Sequence, residues 1–193
     1  MKLLMLSTDS RIFEEGSEVR RRMIRYGELF EELHIIVFSK RSPDVLGPKS
    51  EVSPNVWVYS TNSRNKLFSF WDAYQLGKRI LKEQKGWVIT AQDPFETGLV
   101  ALWLARRFSA PLQIQIHTDF LSPWFVRNSF KNRIRVWIAK RVNPRADRVR
   151  VVSERIKHSL TSYFLSLTSS ITILPIIIPF SDRGDGMAIR LRF

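Results

Sequence analysis

The 193-residue chain contains no cysteine, so disulfides, zinc–thiolate centres and cysteine nucleophiles are excluded. The absence fits a reducing cytosol. Histidine is scarce: His34, His117 and His158 are scattered and lack the spacing of metal ligands. No stretch approaches the roughly 20 apolar residues of a membrane-spanning helix. The apolar run at residues 1–6 is too short for a secretory signal. These absences predict a cytoplasmic protein. Glycine-rich phosphate cradles are missing as well. No G-x-G-x-x-G follows the first apolar run, and neither G-x-x-x-x-G-K-[ST] nor G-x-S-x-G occurs. Acidic residues are outnumbered, 18 against 31 lysines and arginines, which leaves a net charge of +13. That excess favours an anionic partner: nucleic acid, a phosphorylated small molecule or an acidic membrane surface.

What is present is ordinary in amount, 44% hydrophobic and 25% charged, and long enough to bury a core. Short apolar or alternating runs at 2–7, 34–39, 55–60, 87–91, 111–117, 147–153 and 170–175 read as strands. Helical spacing joins Val19, Met23, Tyr26, Phe30 and Leu33, and again Phe70, Ala73, Tyr74, Gly77, Ile80 and Leu81. Residues 40–54 hold three prolines and read as loop. Asp93 is a candidate N-cap, with Pro94 at the first helical position, Glu96 completing a capping box and the helix running to about Phe108. A long basic, aromatic helix is expected over 124–142, and Ser153 caps another that reaches about Phe164.

Alternating strands and helices predict an α/β domain over residues 1–175: a doubly wound, Rossmann-like parallel sheet with helices on both faces. Residues 176–193 show no period and read as an irregular tail, as from a truncation or a shifted reading frame. In such sheets ligands bind beyond the carboxyl ends of the strands. Residues 7–17, 92–97, 117–122 and 153–154 lie there.

The stretch QIQIHTDF ends a strand by presenting His117, Thr118 and Asp119. An imidazole at that edge can hydrogen-bond a hydroxylated ligand or exchange protons near neutral pH. The plainer reading is a histidine that satisfies local backbone. Asp93 is explained by its cap alone or by ligand contact as well. Asp119 either ties down the loop or orients His117. Gly16 and Ser17 precede a helix whose first N–H groups can meet an anion, or mark an ordinary helix start. In the basic stretch, Trp124, Phe125 and Trp137 are interleaved with Arg127, Lys131, Arg133 and Arg135. Such a helix either packs one face and solvates the other, or lies on an anionic membrane. Its tryptophans favour a membrane over nucleic acid.

The order of three segments carries a resemblance. MKLLMLSTDSRIFEEGSEVRRRMIRYGELFEELHIIVFS, VITAQDPFETGLVALWLARRFSAPLQIQIHTDF and ADRVRVVSERIKHSL together resemble the N-terminal domain of glycosyltransferase family 4, over about residues 1–175. These are retaining transferases of the GT-B fold. The resemblance implies that this chain is the acceptor-side half of such a fold. The expected substrates are a nucleotide-sugar donor and a glycan or lipid-linked acceptor, with no metal and no other cofactor. His117 matches the family histidine that contacts the donor sugar. The loop at Gly16 and Ser17 would face donor phosphates or acceptor, and Asp93, Thr118, Asp119, Ser153 and Glu154 would line the cleft. The family's Glu-(seven residues)-Glu motif belongs to a second, donor domain, and no glutamate pair here has that spacing. The chain alone is therefore expected to be inactive, with a separately encoded donor domain as one partner and an anionic membrane surface as another. The competing expectation is a non-enzymatic basic α/β module that binds membrane or nucleic acid.

Overall fold

The computed structural model describes residues 1–41, 49–82, 85–164 and 170–174. The expected tail at 176–193 lies outside the described residues, as do residues 42–48 of the expected loop. Eight strands form one sheet: β1 (Lys2–Ser7), β2 (Glu32–Val37), β3 (Lys49–Ser53), β4 (Val56–Ser60), β5 (Trp87–Ala91), β6 (Leu112–Ile116), β7 (Arg148–Val151) and β8 (Ile171–Ile173). Their order is β3-β4-β2-β1-β5-β6-β7-β8, parallel throughout except for β3, which runs antiparallel to β4. β3 falls where prolines predicted only loop. It is a half-exposed edge strand, a position that needs little apolar sequence.

Six helices join the strands: α1 (Glu18–Gly27), α2 (Lys66–Lys82), α3 (Glu96–Phe108), α4 (Pro123–Asn128), α5 (Phe130–Val142) and α6 (Glu154–Tyr163). They divide unequally between the faces. Val19 and Met23 of α1 pack with Leu3, Met5, Leu33, Ile35, Val56 and Val58 on one face. Buried residues of α2, α3, α5 and α6 pack with Leu4, Leu6, Ile36, Ile89, Ile114 and Val151 on the other. The strand parity sets this division, because neighbouring residues of a strand point to opposite faces.

Two helices differ from expectation. The first was predicted to carry Phe30 and Leu33, but α1 stops at Gly27. There the Asn55 amide donates to the carbonyls of Gly27 (2.7 Å) and Phe30 (3.0 Å), and Leu33 is already paired in β2. A side chain on Gly27 would collide with Val56, so the helix end and β4 are fitted to one another. The long basic helix is two helices. Ser129 is extended (φ −164°, ψ 155°) and its hydroxyl accepts from the Asn132 N–H at 3.1 Å, which starts α5 afresh. The buried Asn132 amide donates back to the Phe125 carbonyl at 2.9 Å and holds α4 against α5.

Candidate functional site

The chain moves leftward from β1 through β2 to β4, then crosses back to β5 on the other side of β1. This reversal opens a crevice above the carboxyl ends of β1 and β5, where ligands of such sheets bind. Its floor is polar and locked. The Ser7 hydroxyl donates to Gln92 Oε1 at 2.6 Å and accepts from the Asp9 N–H at 3.0 Å. The Gln92 N–H reaches the Leu6 carbonyl at 3.0 Å. These bonds tie the ends of the two strands together.

The loop after β1 is organised by Asp9. Its carboxylate accepts from the Arg11 side chain through Nε (3.1 Å) and Nη2 (3.0 Å), and this guanidinium holds the carboxyl below the usual range. Gly16 adopts φ +74°, a left-handed conformation that glycine enters without steric cost. Ser17 then caps α1, accepting from the Arg20 N–H (3.1 Å) and donating to the Arg11 carbonyl (2.6 Å). Both of these bonds serve the start of the helix.

Asp93 acts earlier than the capping-box pattern predicts. Its carboxylate accepts from the Phe95 N–H at 2.8 Å, and α3 begins only at Glu96 with Phe95 in the cap position. Pro94 therefore lies in the turn ahead of the helix. Burial pushes the Asp93 carboxyl up, because desolvation disfavours the charged form. Glu96 does not complete a capping box. It pairs instead with Arg135 of α5, with Nη2 at 2.8 Å, and with Lys131 at 3.6 Å.

The loop after β6 explains how a buried strand presents polar groups. Phe120 is 1% exposed and stacks edge-on against Phe95, which pins the loop to the core. Asp119 accepts from the Ser159 hydroxyl of α6 at 2.9 Å, so its carboxylate fastens the loop to that helix. His117 and Thr118 are left exposed on the crest. The His117 pKa is held below its ordinary value, first by enclosure of the ring among neighbouring atoms and then by the charges of Arg150 and Arg22. Neither arginine is singled out by a sequence motif. The available signal was parity: Gln113, Gln115 and His117 share one face with Arg148 and Arg150. Ser153 caps α6 through the Ile156 N–H (3.4 Å), and Glu154 is an exposed side chain near Lys157 at 3.9 Å.

The basic, aromatic helices reach the same carboxyl edge: Trp124, Phe125 and Arg127 line a cleft with Thr118 and Asp119, and Lys131 and Arg135 line another with Thr8 and Ser39. Trp124 is 86% exposed, Phe130 74% and Trp137 56%. Phe125 is half-buried and stacks on Phe95, while Arg127 and Arg133 are exposed. Arg135 is committed to Glu96 and to the face of Phe95. Trp71 of α2 and Trp103 of α3 are exposed too, beside a cleft of about 690 Å³ that Arg106 and Arg107 also line. Among the described residues no helix is long and apolar enough to cross a membrane, and no group of three acidic or histidine side chains is placed to hold a metal.

Comparison with known proteins agrees with this geometry. No curated protein sequence matches the chain. Among solved structures, sucrose-phosphate synthase from Thermosynechococcus elongatus is similar over 91% of this chain and 48% of its own, with a TM-score of 0.65 at 16% identity. UDP-GlcNAc 2-epimerase from Methanocaldococcus jannaschii is similar over 90% of this chain and 45% of its own, with a TM-score of 0.56 at 16% identity. This chain thus spans about half the length of both. At such identities the likeness establishes the fold, a Rossmann-like half of a GT-B arrangement. The family profile described as Glycosyltransferase Family 4 matches residues 25–176, which takes in β2 to β8 and the His117 loop, and this chain is a member of that family.

Proposed function

We propose that the carboxyl edge of this sheet is the acceptor-side wall of a sugar-transfer site. The complete site would use a nucleotide-sugar donor, proceed with retention and need no metal. The observation that carries the reading is the position of His117: exposed on the crest after β6, next to the crevice at β1 and β5, and flanked by cations. Its depressed pKa favours the neutral ring at pH 7, which suits hydrogen bonding to a sugar hydroxyl better than delivery of a proton. Gly16 and Ser17, with Thr118, Asp93, Asp119, Ser153 and Glu154 around the rim, would contour the acceptor pocket. A donor domain, on the same polypeptide or on a separate one, would close the cleft. Pre-organised N–H groups and cations would then stabilise the departing nucleoside diphosphate. On its own this half is expected to turn over little.

Amide-resolved NMR with a panel of nucleotide-sugars and neutral saccharides tests the reading. Shifts concentrated at residues 7–17, 92–97 and 117–122 are expected. Shifts elsewhere, or none at millimolar ligand, would remove the edge from the reaction.

A second reading concerns the exposed tryptophans of the helices. Exposed Trp71, Trp103, Trp124 and Trp137 beside arginines and lysines suit the interface of an anionic bilayer, where indole rings and basic residues are both favoured. This surface would hold the enzyme beside a lipid-linked acceptor. Sedimentation with phosphatidylglycerol vesicles should carry the protein down. DNA binding that falls steeply with salt, without vesicle binding, would instead favour the nucleic-acid module.

A further inference from the structure

Helices α2 and α3 pack side by side and are drawn together at Gly77, where an added side chain would collide with Leu104. Bulkier residues stand outside that contact. Leu67 and Trp71 of α2 and Trp103 of α3 are all exposed. Their rings are linked: Trp71 lies 6.3 Å from Tyr74, and Tyr74 meets Trp103 nearly at right angles at 6.5 Å. These four side chains wall the cleft of about 690 Å³, a size within the roughly 300–1,000 Å³ of small-molecule sites. Arg106 and Arg107, in the last turn of α3, complete it. Neither His117 nor any loop of the crevice lines it.

We propose that this cleft holds one molecule of an anionic phospholipid, with an acyl chain against Leu67, Trp71, Tyr74 and Trp103 and the phosphodiester at Arg106 and Arg107. Charge complementarity chooses the occupant. Among the described residues no acidic side chain lines the cleft, and neither arginine forms an ion pair. The usual task of arginines at the end of a helix is to meet its open carbonyls. Here the Ala105 carbonyl already accepts from the N–H groups of Ser109 and Ala110. Arg107 rests on the Phe108 ring and shares a neighbouring cleft with Lys82 and Lys85, so the charge around it is positive as well. An apolar trough that ends in guanidinium groups matches an apolar chain that ends in a phosphate. A free phosphate would leave the exposed rings in water, and a neutral chain would leave the cations without a partner. The site deepens the membrane reading above and rests on it for the source of the lipid. Adsorption needs only indole rings and charge at an interface, whereas this cleft takes a single lipid at a fixed place.

The test uses the whole chain and three probes kept below any micelle-forming concentration: dihexanoyl phosphatidylglycerol, dihexanoyl phosphatidylcholine and glycerol 3-phosphate. The readouts are stoichiometry and dissociation constant by calorimetry, and the amide shifts of residues 67–74 and 103–107. Phosphatidylglycerol should bind one to one and move those amides. Phosphatidylcholine, whose head adds a cation, should bind about tenfold more weakly, as for loss of one charge-assisted contact, and glycerol 3-phosphate should not bind. Each methylene added to the chain in the cleft should tighten binding about fourfold. Arg106→Gln and Arg107→Gln should each weaken it about tenfold, and Leu67→Gln and Trp71→Gln by a similar factor. All four side chains are exposed, so the variants stay folded. Equal affinity for the two phospholipids would overturn the proposal, as would binding that none of the four substitutions weakens. A dimer that Leu67→Gln disperses, with no response to lipid, would give the cleft to a second copy of the chain and overturn it too. If vesicles carry the protein down while the monomeric lipid leaves the cleft amides unmoved, the adsorption reading stands and the site falls. If the monomeric lipid binds in the cleft and vesicles do not carry the protein down, the site stands and the adsorption reading falls.

Discussion

The same sheet face is built in two ways. Under α1 it presents Leu3, Met5, Leu33, Ile35, Val56 and Val58, and a helix seals it. One strand further on it presents Thr90, Gln113, Gln115, Arg148 and Arg150, and among the described residues no helix packs there. Both halves belong to one continuous ladder with the same pleat. The difference is therefore made by side chains and connections alone. A right-handed crossover from β1 leftward to β2 places α1 on this face, whereas crossovers running rightward from β4 to β8 place α2 to α6 on the other. The reversal of direction beside β1 thus opens the crevice and also leaves the polar half without a helix of its own, although Thr90 and Gln115 there remain buried. Fold and site have a single topological cause.

The largest expected effect lies in the sealed half. Ile35 is 1% exposed within the α1 cluster. Ile35→Ala should cost about 2–5 kcal/mol, as large-to-small changes in a closed core do. Arg148→Ala, at the exposed start of β7 on the polar half, should change stability by less than about 0.5 kcal/mol. Urea denaturation of the two variants measures the contrast directly. Equal losses would mean that the polar half is sealed as tightly as the other.

A smaller effect is expected where the apolar face meets the site. A Cβ on Gly98 would lie 2.8 Å from the Asp93 carbonyl oxygen and 3.3 Å from Val142 Cγ1. The carbonyl belongs to the loop that Asp93 and Thr97 tie together, so the loop must shift. Gly98→Ala should cost about 1–3 kcal/mol. It should also move the amide resonances of residues 92–97, and a variant with native shifts there would show that α3 yields instead. Next in size is Thr90→Val. Thr90 is 1% exposed and bridges Gln113 and Gln115. Valine keeps the shape but leaves the Gln115 amide without its acceptor, at a cost of about 1–3 kcal/mol for a buried donor. No loss on urea denaturation would mean that water replaces the hydroxyl, and that the polar half is wet.

The sequence makes the sheet legible because each parallel strand is a short apolar or alternating run, and the expected span of β5, residues 87–91, agrees with the observed Trp87–Ala91. Helix ends were less legible, since the forces that set them are distant. Asn55 stops α1 from 28 residues away, and Glu96 leaves its own helix end for Arg135. The break at Ser129 was present locally, as a serine three residues ahead of the Asn132 N–H it bonds, but the surrounding basic and aromatic residues masked it. The position of His117 followed from strand alternation. The arginines whose charge bears on it did not, because Arg22 and Arg150 are remote in sequence and are brought to its side of the sheet by the α1 crossover and the β6–β7 register.

The smallest expected effect is electrostatic and bears on the polar half alone. His117 has a pKa below its ordinary value in the folded chain, from enclosure of the ring and from Arg150 and Arg22. In the unfolded chain that value returns to about 6.5. The unfolded state therefore binds the proton first as pH falls, so stability present above about pH 6.5 is lost as pH drops through the folded-state value. Because the ring is exposed, solvent screens the interaction and the loss is small. Subtracting the urea-derived stability of His117→Gln from that of the native chain, between about pH 7.5 and 5.5, cancels every other titrating group, including His34 and Glu32 on the opposite side of β2. The difference should turn against the native chain as pH falls, and Arg150→Gln should make it shallower without abolishing it, because enclosure of the ring is the larger cause. A pH dependence that is the same with Gln at position 150 would show that this guanidinium group does not bear on the imidazole. The polar half would then be hydrogen-bonding surface without a charge preference.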